Sequence, residues 1–227
     1  VKTEYSPSVI ALGTFDGLHL GHQDIIKTAR DYAQKHGLKL IDFTFSNHPL
    51  SLIKPDLVPV RIITQQQKIK YLEKLGVDIL VNVPFDHDLA GLSPDEFLKK
   101  LAVFNYRCLV VGENFSYGFL GSGKTDTLQR TGLHDHFTVI IRQLVKCGKN
   151  VISSTGIRSL IQAGHVEHAN QMLGRAYALT GIVTPGAQRG RTIGFPTANI
   201  ALQRSETAVP ATGGYAVKVK VGDKLYF

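Results

Sequence analysis

Four short apolar runs in the first half of the chain alternate with amphipathic helical segments, and this alternation restricts the fold more than any other feature. SVIALGT (8–14) reads as a buried strand, and GHQDIIKTARDYAQKH follows as a helix closed by Gly37. LKLIDFTF (38–45) is a second strand, ended by Pro49. TQQQKIKYLEKLG begins with Thr64 and Gln67 at capping-box spacing, and VDILVNV (77–83) is a third strand. SPDEFLKKLAVF starts with Ser93, Pro94 and Glu96, a strong helix start; RCLVVG (107–112) is the fourth strand and FTVIIRQL (137–144) a fifth. Strands that are apolar throughout, separated by helices, imply a parallel sheet covered on both faces. The expectation is an α/β, Rossmann-like open parallel sheet, with ligands beyond the carboxyl ends of its strands.

The pattern changes after Gly174. Two short helices, STGIRSLIQAG and VEHANQMLG, lead into a stretch rich in Gly, Thr and Pro, where YAVKVKV and KLYF flank Gly222-Asp223 as a hairpin. The expected division is 1–174 and 175–227, the second part all-β and incomplete, because a stable unit needs more strands than these. The first residue, Val1, suggests trimming. Of the formal charge of +8, +5 falls in residues 174–227. Such an excess suits nucleic acid or polyphosphate ligands; no nucleic-acid motif accompanies it, so nucleic acid is not expected. Nor is a membrane partner, since no apolar run spans a bilayer and no signal peptide opens the chain. Cys108 and Cys147 have neither disulfide-framework nor zinc spacing, and the compartment reads as cytoplasmic.

GTFDGLHLGH (13–22) joins the first strand to the first helix. Gly13, Gly17 and Gly21 allow close approach of backbone to a ligand, and His19 and His22 stand at the helix start, where free N–H groups and the dipole favour an anion. Two imidazoles there can stabilise a phosphate whose charge shifts during transfer. A metal reading lacks a third ligand at helical spacing.

GTFDGLHLGH resembles the H-x-G-H signature of nucleotidyltransferases and, more narrowly, the FMN adenylyltransferase module of bacterial bifunctional riboflavin kinase/FMN adenylyltransferases. Three further segments resemble that family in the same order. NHP (47–49) stands where the family carries a Pro-His-Pro-like turn near the flavin, with Asn47 in place of the usual residue. VVGENFSYG (110–118) resembles its loop after strand four, and ISSTGIR (152–158) its I-S-S-T-x-I-R segment. GAQRGRTIGFPTANI (186–200) resembles the riboflavin kinase signature.

The resemblance implies a nucleotidyltransferase-type domain followed by part of a riboflavin kinase β-barrel, with the kinase's catalytic carboxylate beyond Phe227 and no kinase chemistry from the chain as it stands. It implies FAD synthesis from FMN and ATP with Mg²⁺, and riboflavin as the kinase substrate. His19 and His22 are then catalytic. Gly13, Thr14, Phe15, Asp16, Gly21, Ser153, Ser154, Thr155 and Arg158 bind ATP. His48, Asn114, Phe115 and Tyr117 bind flavin. Gly190, Gly194, Thr197 and Asn199 hold Mg-ATP in the kinase part, Thr197 and Asn199 as oxygen donors to Mg²⁺.

Other readings remain open on the residues alone. A different H-x-G-H nucleotidyltransferase would keep the histidines, and a binding protein would hold flavin without turnover. GFLGSGKT (118–125) fits the P-loop pattern G-x-x-x-x-G-K-[ST]. That pattern needs a strand ending at its first Gly. Strand four ends earlier, near Gly112, and Asp126 would face the phosphate. The match is read as coincidental, the segment being a Gly-rich loop over the flavin.

Overall fold

The computed structural model describes residues 5–187, 189–195, 197–202 and 207–226. Five strands, β1 (Ser8–Leu12), β2 (Lys39–Phe45), β3 (Ile79–Val83), β4 (Tyr106–Gly112) and β5 (Thr138–Arg142), form one sheet in the order β3-β2-β1-β4-β5. Every neighbouring pair is parallel. The chain leaves β1 toward β2 on one side and later returns to β4 on the other. The β1/β4 junction is therefore the switch point, where such sheets open a crevice beyond their strand ends.

The period-two alternation of the strands sends their side chains into two cores. Val9, Ala11, Leu40, Cys108 and Val110 join the first, with Ile26 and Ala29 of α1 (Leu20–His36), Leu72 of α2 (Gln65–Lys74), and Ile157 and Leu173 from the helices α5 (Ser154–Gln162) and α6 (Val166–Leu173). Ile10, Leu12, Ile41, Phe43, Leu109 and Val111 join the second, with Phe97 and Leu101 of α3 (Pro94–Leu101) and Leu128 of α4 (Thr125–His134). A sheet apolar on both faces is what the unbroken apolar runs require. Helix ends follow local chemistry. Thr64 and Ser93 each form a full capping box. Gly37 closes α1 at φ 66°, a left-handed conformation that glycine adopts without strain.

Beyond residue 174 the described residues hold two separate antiparallel pairs: β6 (Gly181–Thr184) with β7 (Asn199–Leu202), and β8 (Val219–Val221) with β9 (Lys224–Tyr226). The Gly222 turn is at φ 59°, as the hairpin reading requires, although pairing takes in only Val219–Val221 of the longer YAVKVKV run. Tyr177 and Ala208 of this region pack with the first core. Thr207 bridges Arg61 in parallel, Ala208 N–H donates to the Arg61 carbonyl at 2.7 Å, the Tyr177 hydroxyl donates to the Ala208 carbonyl, and Ala208 is buried with the first core.

Candidate functional site

The loop after β1 is bent by packing. Phe15 and Leu18 sit at φ 49° and 43° and are buried. Left-handed φ in bulky residues is strained and persists only where the surroundings hold it. Gly13 makes room: a Cβ there would lie 2.8 Å from the Phe15 ring. Gly17, at φ 81°, completes the turn.

His19 is the N-cap of α1, its Nδ1 accepting from the His22 backbone N–H at 3.3 Å. A neutral imidazole that accepts at Nδ1 carries its proton on Nε2. His19 and His22 stack with centroids 3.6 Å apart, and Phe15 meets His22 edge-on at 5.3 Å. Gly21 lies beneath the His19 ring. His19 is only 6% exposed, and His22 is half-buried. The stacked His22 ring and the Gly21 backbone lie against His19. Burial lowers the pKa of His19 to about 4, against the hydrogen bond to its own backbone, with the Arg175 charge adding to the fall. His22 is pushed well below the usual value by burial, then by His19 and Lys68. Both rings are therefore neutral at pH 7, and each offers a phosphate one N–H rather than a full charge. His22 Nδ1 is buried without a hydrogen-bond partner among the described residues.

The ISSTGIR segment meets this loop although it is far away in sequence. Ser154 Oγ donates to the Asp16 carbonyl at 2.9 Å, and Ser153 caps α5 by accepting from Gly156 N–H. Thr155 is exposed at the same helix start. Arg158 turns inward: Nη2 reaches Asp16 Oδ2 at 2.9 Å and Nε donates to the Val60 carbonyl at 2.6 Å. Asp16 also accepts from Ile62 N–H at 3.0 Å. The N-termini of α1 and α5 are thus tied to one turn, and each supplies free N–H groups for an anion.

A pocket opens beside them, lined by Thr14, Asp16, Ser46, His48, Arg61 and Lys68 among others. His48 Nδ1 accepts from Leu50 N–H at 3.1 Å, and its pKa is lowered by burial and then by Arg158. Asn47 forms a two-way lock with Phe85, donating to its carbonyl at 3.0 Å and accepting from its N–H at 2.7 Å. Of the loop after β4, Asn114 is exposed and Phe115 is half-buried. Tyr117 is 5% exposed, stacked on Phe115 and packed against Phe97, so its ring belongs to the second core instead of lying open to a ligand.

GFLGSGKT forms a hairpin. Ser116–Tyr117 pairs antiparallel with Gly123–Lys124, and α4 begins at Thr125. Gly118 to Ser122 is the hairpin tip, so the strand–loop–helix context of a phosphate loop is missing. In the second region Gly190 lies in a helical turn, Arg189–Thr192, and Gly194 is at φ 82°. Thr197 and Asn199 are exposed, while Gln188 and Pro196 of the same motif lie outside the described residues. No group of three His, Cys, Asp or Glu side chains able to hold a metal occurs among the described residues.

Sequence reasoning passed over four residues here: Asp42, Lys68, Arg61 and Arg175. Arg61 donates to the Ser46 carbonyl at 2.6 Å. Arg175 donates to the carbonyls of Gly17 and Leu18 and lies 4.1 Å over the Tyr71 ring, clamping the histidine loop from behind. Only Asp42, an acid inside an apolar strand, left a readable signal.

Residues 1–156 match the FAD synthetase family model, and residues 173–227 match the riboflavin kinase model. A bifunctional riboflavin kinase/FMN adenylyltransferase of Bacillus subtilis is 42% identical over the whole chain, which covers 72% of that relative. Those of Listeria monocytogenes and Escherichia coli K12 are 40% and 35% identical over 96% and 93% of this chain, covering 69% and 67% of theirs. A solved Streptococcus pneumoniae structure titled as a macrolide-efflux protein superposes with a TM-score of 0.90 at 34% identity, over 97% of this chain and 72% of that one. No helix among the described residues of the present chain is long and apolar enough to cross a membrane. With both family models matched in order along one chain, and relatives of the same name aligned across nearly all of it, the chain belongs to the bifunctional riboflavin kinase/FMN adenylyltransferase family.

Proposed function

We propose that this chain makes FAD by transferring AMP from ATP to FMN, releasing pyrophosphate. The observation that carries the reading is the pair of stacked neutral imidazoles at the N-terminus of α1, facing a turn that α5 also meets with its N-terminus. An FMN phosphate oxygen attacks the α-phosphorus of ATP, and the α–β anhydride bond breaks. The FMN phosphate is already anionic at pH 7, so no strong base is required. The Nε2–H of His19 and an N–H of His22 donate to oxygens of the α-phosphate, where charge shifts. The turn from Gly13 to Asp16, with Gly21 beside it, shapes the nucleotide side. The hydroxyls of Ser153, Ser154 and Thr155 and the α5 N–H groups hold the leaving pyrophosphate, with Arg158 fixed behind them through Asp16. His48, Asn114 and Phe115 face the flavin, and Tyr117 supports Phe115.

Mg²⁺ would neutralise phosphate charge and orient the leaving group. Its ligands would be phosphate oxygens and water, with Thr197 and Asn199 as oxygen donors in the kinase part. Residues 1–174 are assigned to adenylyl transfer. Residues 175–227 are assigned to riboflavin kinase-type binding, with Gly190, Gly194, Thr197 and Asn199 toward Mg-ATP.

The test is incubation with FMN, ATP and Mg²⁺, following FAD and pyrophosphate by chromatography, with a parallel reaction on riboflavin. FAD from FMN, lowered by about a hundredfold in His22→Ala, supports the assignment. A folded sample that makes no FAD, or a His22→Ala variant with full turnover, overturns it.

A further inference from the structure

Beneath the histidine loop lies a closed polar triangle. Lys68 Nζ donates to the Thr14 carbonyl at 2.9 Å and to Thr44 Oγ1 at 2.7 Å. Thr44 Oγ1 in turn donates to the same Thr14 carbonyl at 3.0 Å. Thr14 is the second residue of the turn that carries Phe15, Asp16 and the histidines. Lys68 is 5% exposed, in the first core beside Leu72 on the same face of α2. Two residues before Thr44, on the same face of β2, Asp42 is fully buried, and neither of its oxygens meets a hydrogen-bond partner among the described residues. An isolated buried carboxylate or ammonium is costly, and Asp42 and Lys68, with no direct hydrogen bond between them, each favour the charged form of the other through space.

We propose that Lys68 is a positioning residue for adenylyl transfer: with Thr44 it anchors the Thr14 carbonyl, and so the turn bearing His19 and His22, while Asp42 serves as its buried counter-charge. The inference rests on the adenylyl-transfer reading given above. A displacement of about 1 Å at a reacting centre costs on the order of a hundredfold in rate, so an anchor at the root of the turn has leverage over the imidazoles at its end. The charged groups facing Lys68 fit the role. Burial lowers its pKa to about 8, Asp42 and Asp16 act to keep it protonated, and Arg61 acts against them. Asp42 is itself raised to about 7 by burial, against the pull of Lys68.

The experiment compares the full chain with Thr44→Val, Asp42→Asn and the double variant Asp42→Asn/Lys68→Met, which leaves no lone buried charge. With FMN, ATP and Mg²⁺, the double variant is expected to lose about 30- to 100-fold in kcat and Thr44→Val about tenfold, with KM for either substrate unchanged within about threefold. In Asp42→Asn, Lys68 loses its counter-charge, so the alkaline fall in kcat moves to lower pH than in the native chain. Full kcat in Thr44→Val, or a loss confined to KM, overturns the proposal. Hydrogen exchange across residues 13–22 reads the same anchor without turnover. If Thr44→Val and the double variant leave its protection unchanged, the anchor fails whether or not the native chain makes FAD. If FAD formation alone is absent, it is the adenylyl-transfer reading that fails.

Discussion

Replacing Asp16 by Ala measures how much of the site is held by a single carboxylate. Asp16 receives Arg158 at 2.9 Å and Ile62 N–H at 3.0 Å, and the paired side chains are 18% and 10% exposed. Removing one partner of a buried ion pair costs about 3–5 kcal/mol, because the other charge is left uncompensated. Partial exposure, and the hydrogen bond that Arg158 keeps to the Val60 carbonyl, favour the lower end, about 3 kcal/mol. Orphaning Ile62 N–H adds about 1 kcal/mol. The expected loss is about 4 kcal/mol, or roughly 8–16 °C in melting temperature for a chain of this size. Urea and thermal melts followed by circular dichroism supply the measurement. Asp16→Asn, whose amide oxygen still accepts from Ile62, should lose about half as much. In the double variant Asp16→Ala/Arg158→Met no guanidinium is stranded, so the two losses should fall short of additivity by about 2 kcal/mol. A loss below about 1 kcal/mol for Asp16→Ala, or strict additivity, would refute the claim that Arg158 is committed to this carboxylate.

Two more outcomes follow from the site. The pKa of His19 falls from 6.5 unfolded to about 4 folded, so the unfolded chain binds more protons between those values and stability drops as pH falls through that window. His19→Asn, which keeps a good N-cap, should lose about 2–3 kcal/mol less than the native chain between pH 7 and 4.5 in urea melts, and equal losses would contradict the burial argument. Lys124→Ala lies in an exposed hairpin and should leave FAD formation within about threefold of native, whereas a loss on the order of a hundredfold would restore the phosphate-loop reading.

The chain wrote some of this plainly and some not at all. The apolar runs at 8–14 and 107–112 became adjacent central strands, because continuous apolarity suits only a sheet covered on both faces. The helix starts at Thr64 and Ser93 followed from local capping chemistry, which depends on few long-range contacts. Burial of individual polar side chains was not legible. On α2, hydrophobicity would place Ile69 inside and Lys68 outside, yet Ile69 is 48% exposed and Lys68 is buried. The inversion comes from Asp42 and Thr44 on β2, partners that sequence spacing on α2 does not reveal. The burial of His19 was hidden for a similar reason: the His22 ring stacks on it, and Arg175, distant in sequence, grips the carbonyls of Gly17 and Leu18 just before it. Tyr117 fits the motif of a flavin loop, but its neighbour Phe97 claims the ring.

The seating of Ala208 changes what it means to cut this chain. A boundary near residue 174 is natural on paper, since residue patterns and the two family matches change nearby. In space, a fragment ending there would lose the Ala208 methyl group buried with the first core, the N–H that satisfies the Arg61 carbonyl, and Arg175, which grips the carbonyls of Gly17 and Leu18. An expressed fragment of the first region would therefore carry a small hole and a loosened histidine turn even if every residue assigned to adenylyl transfer were present. Anyone dissecting the two activities by truncation would see a weakened first activity and could mistake it for communication between two active sites, when the missing pieces are mechanical.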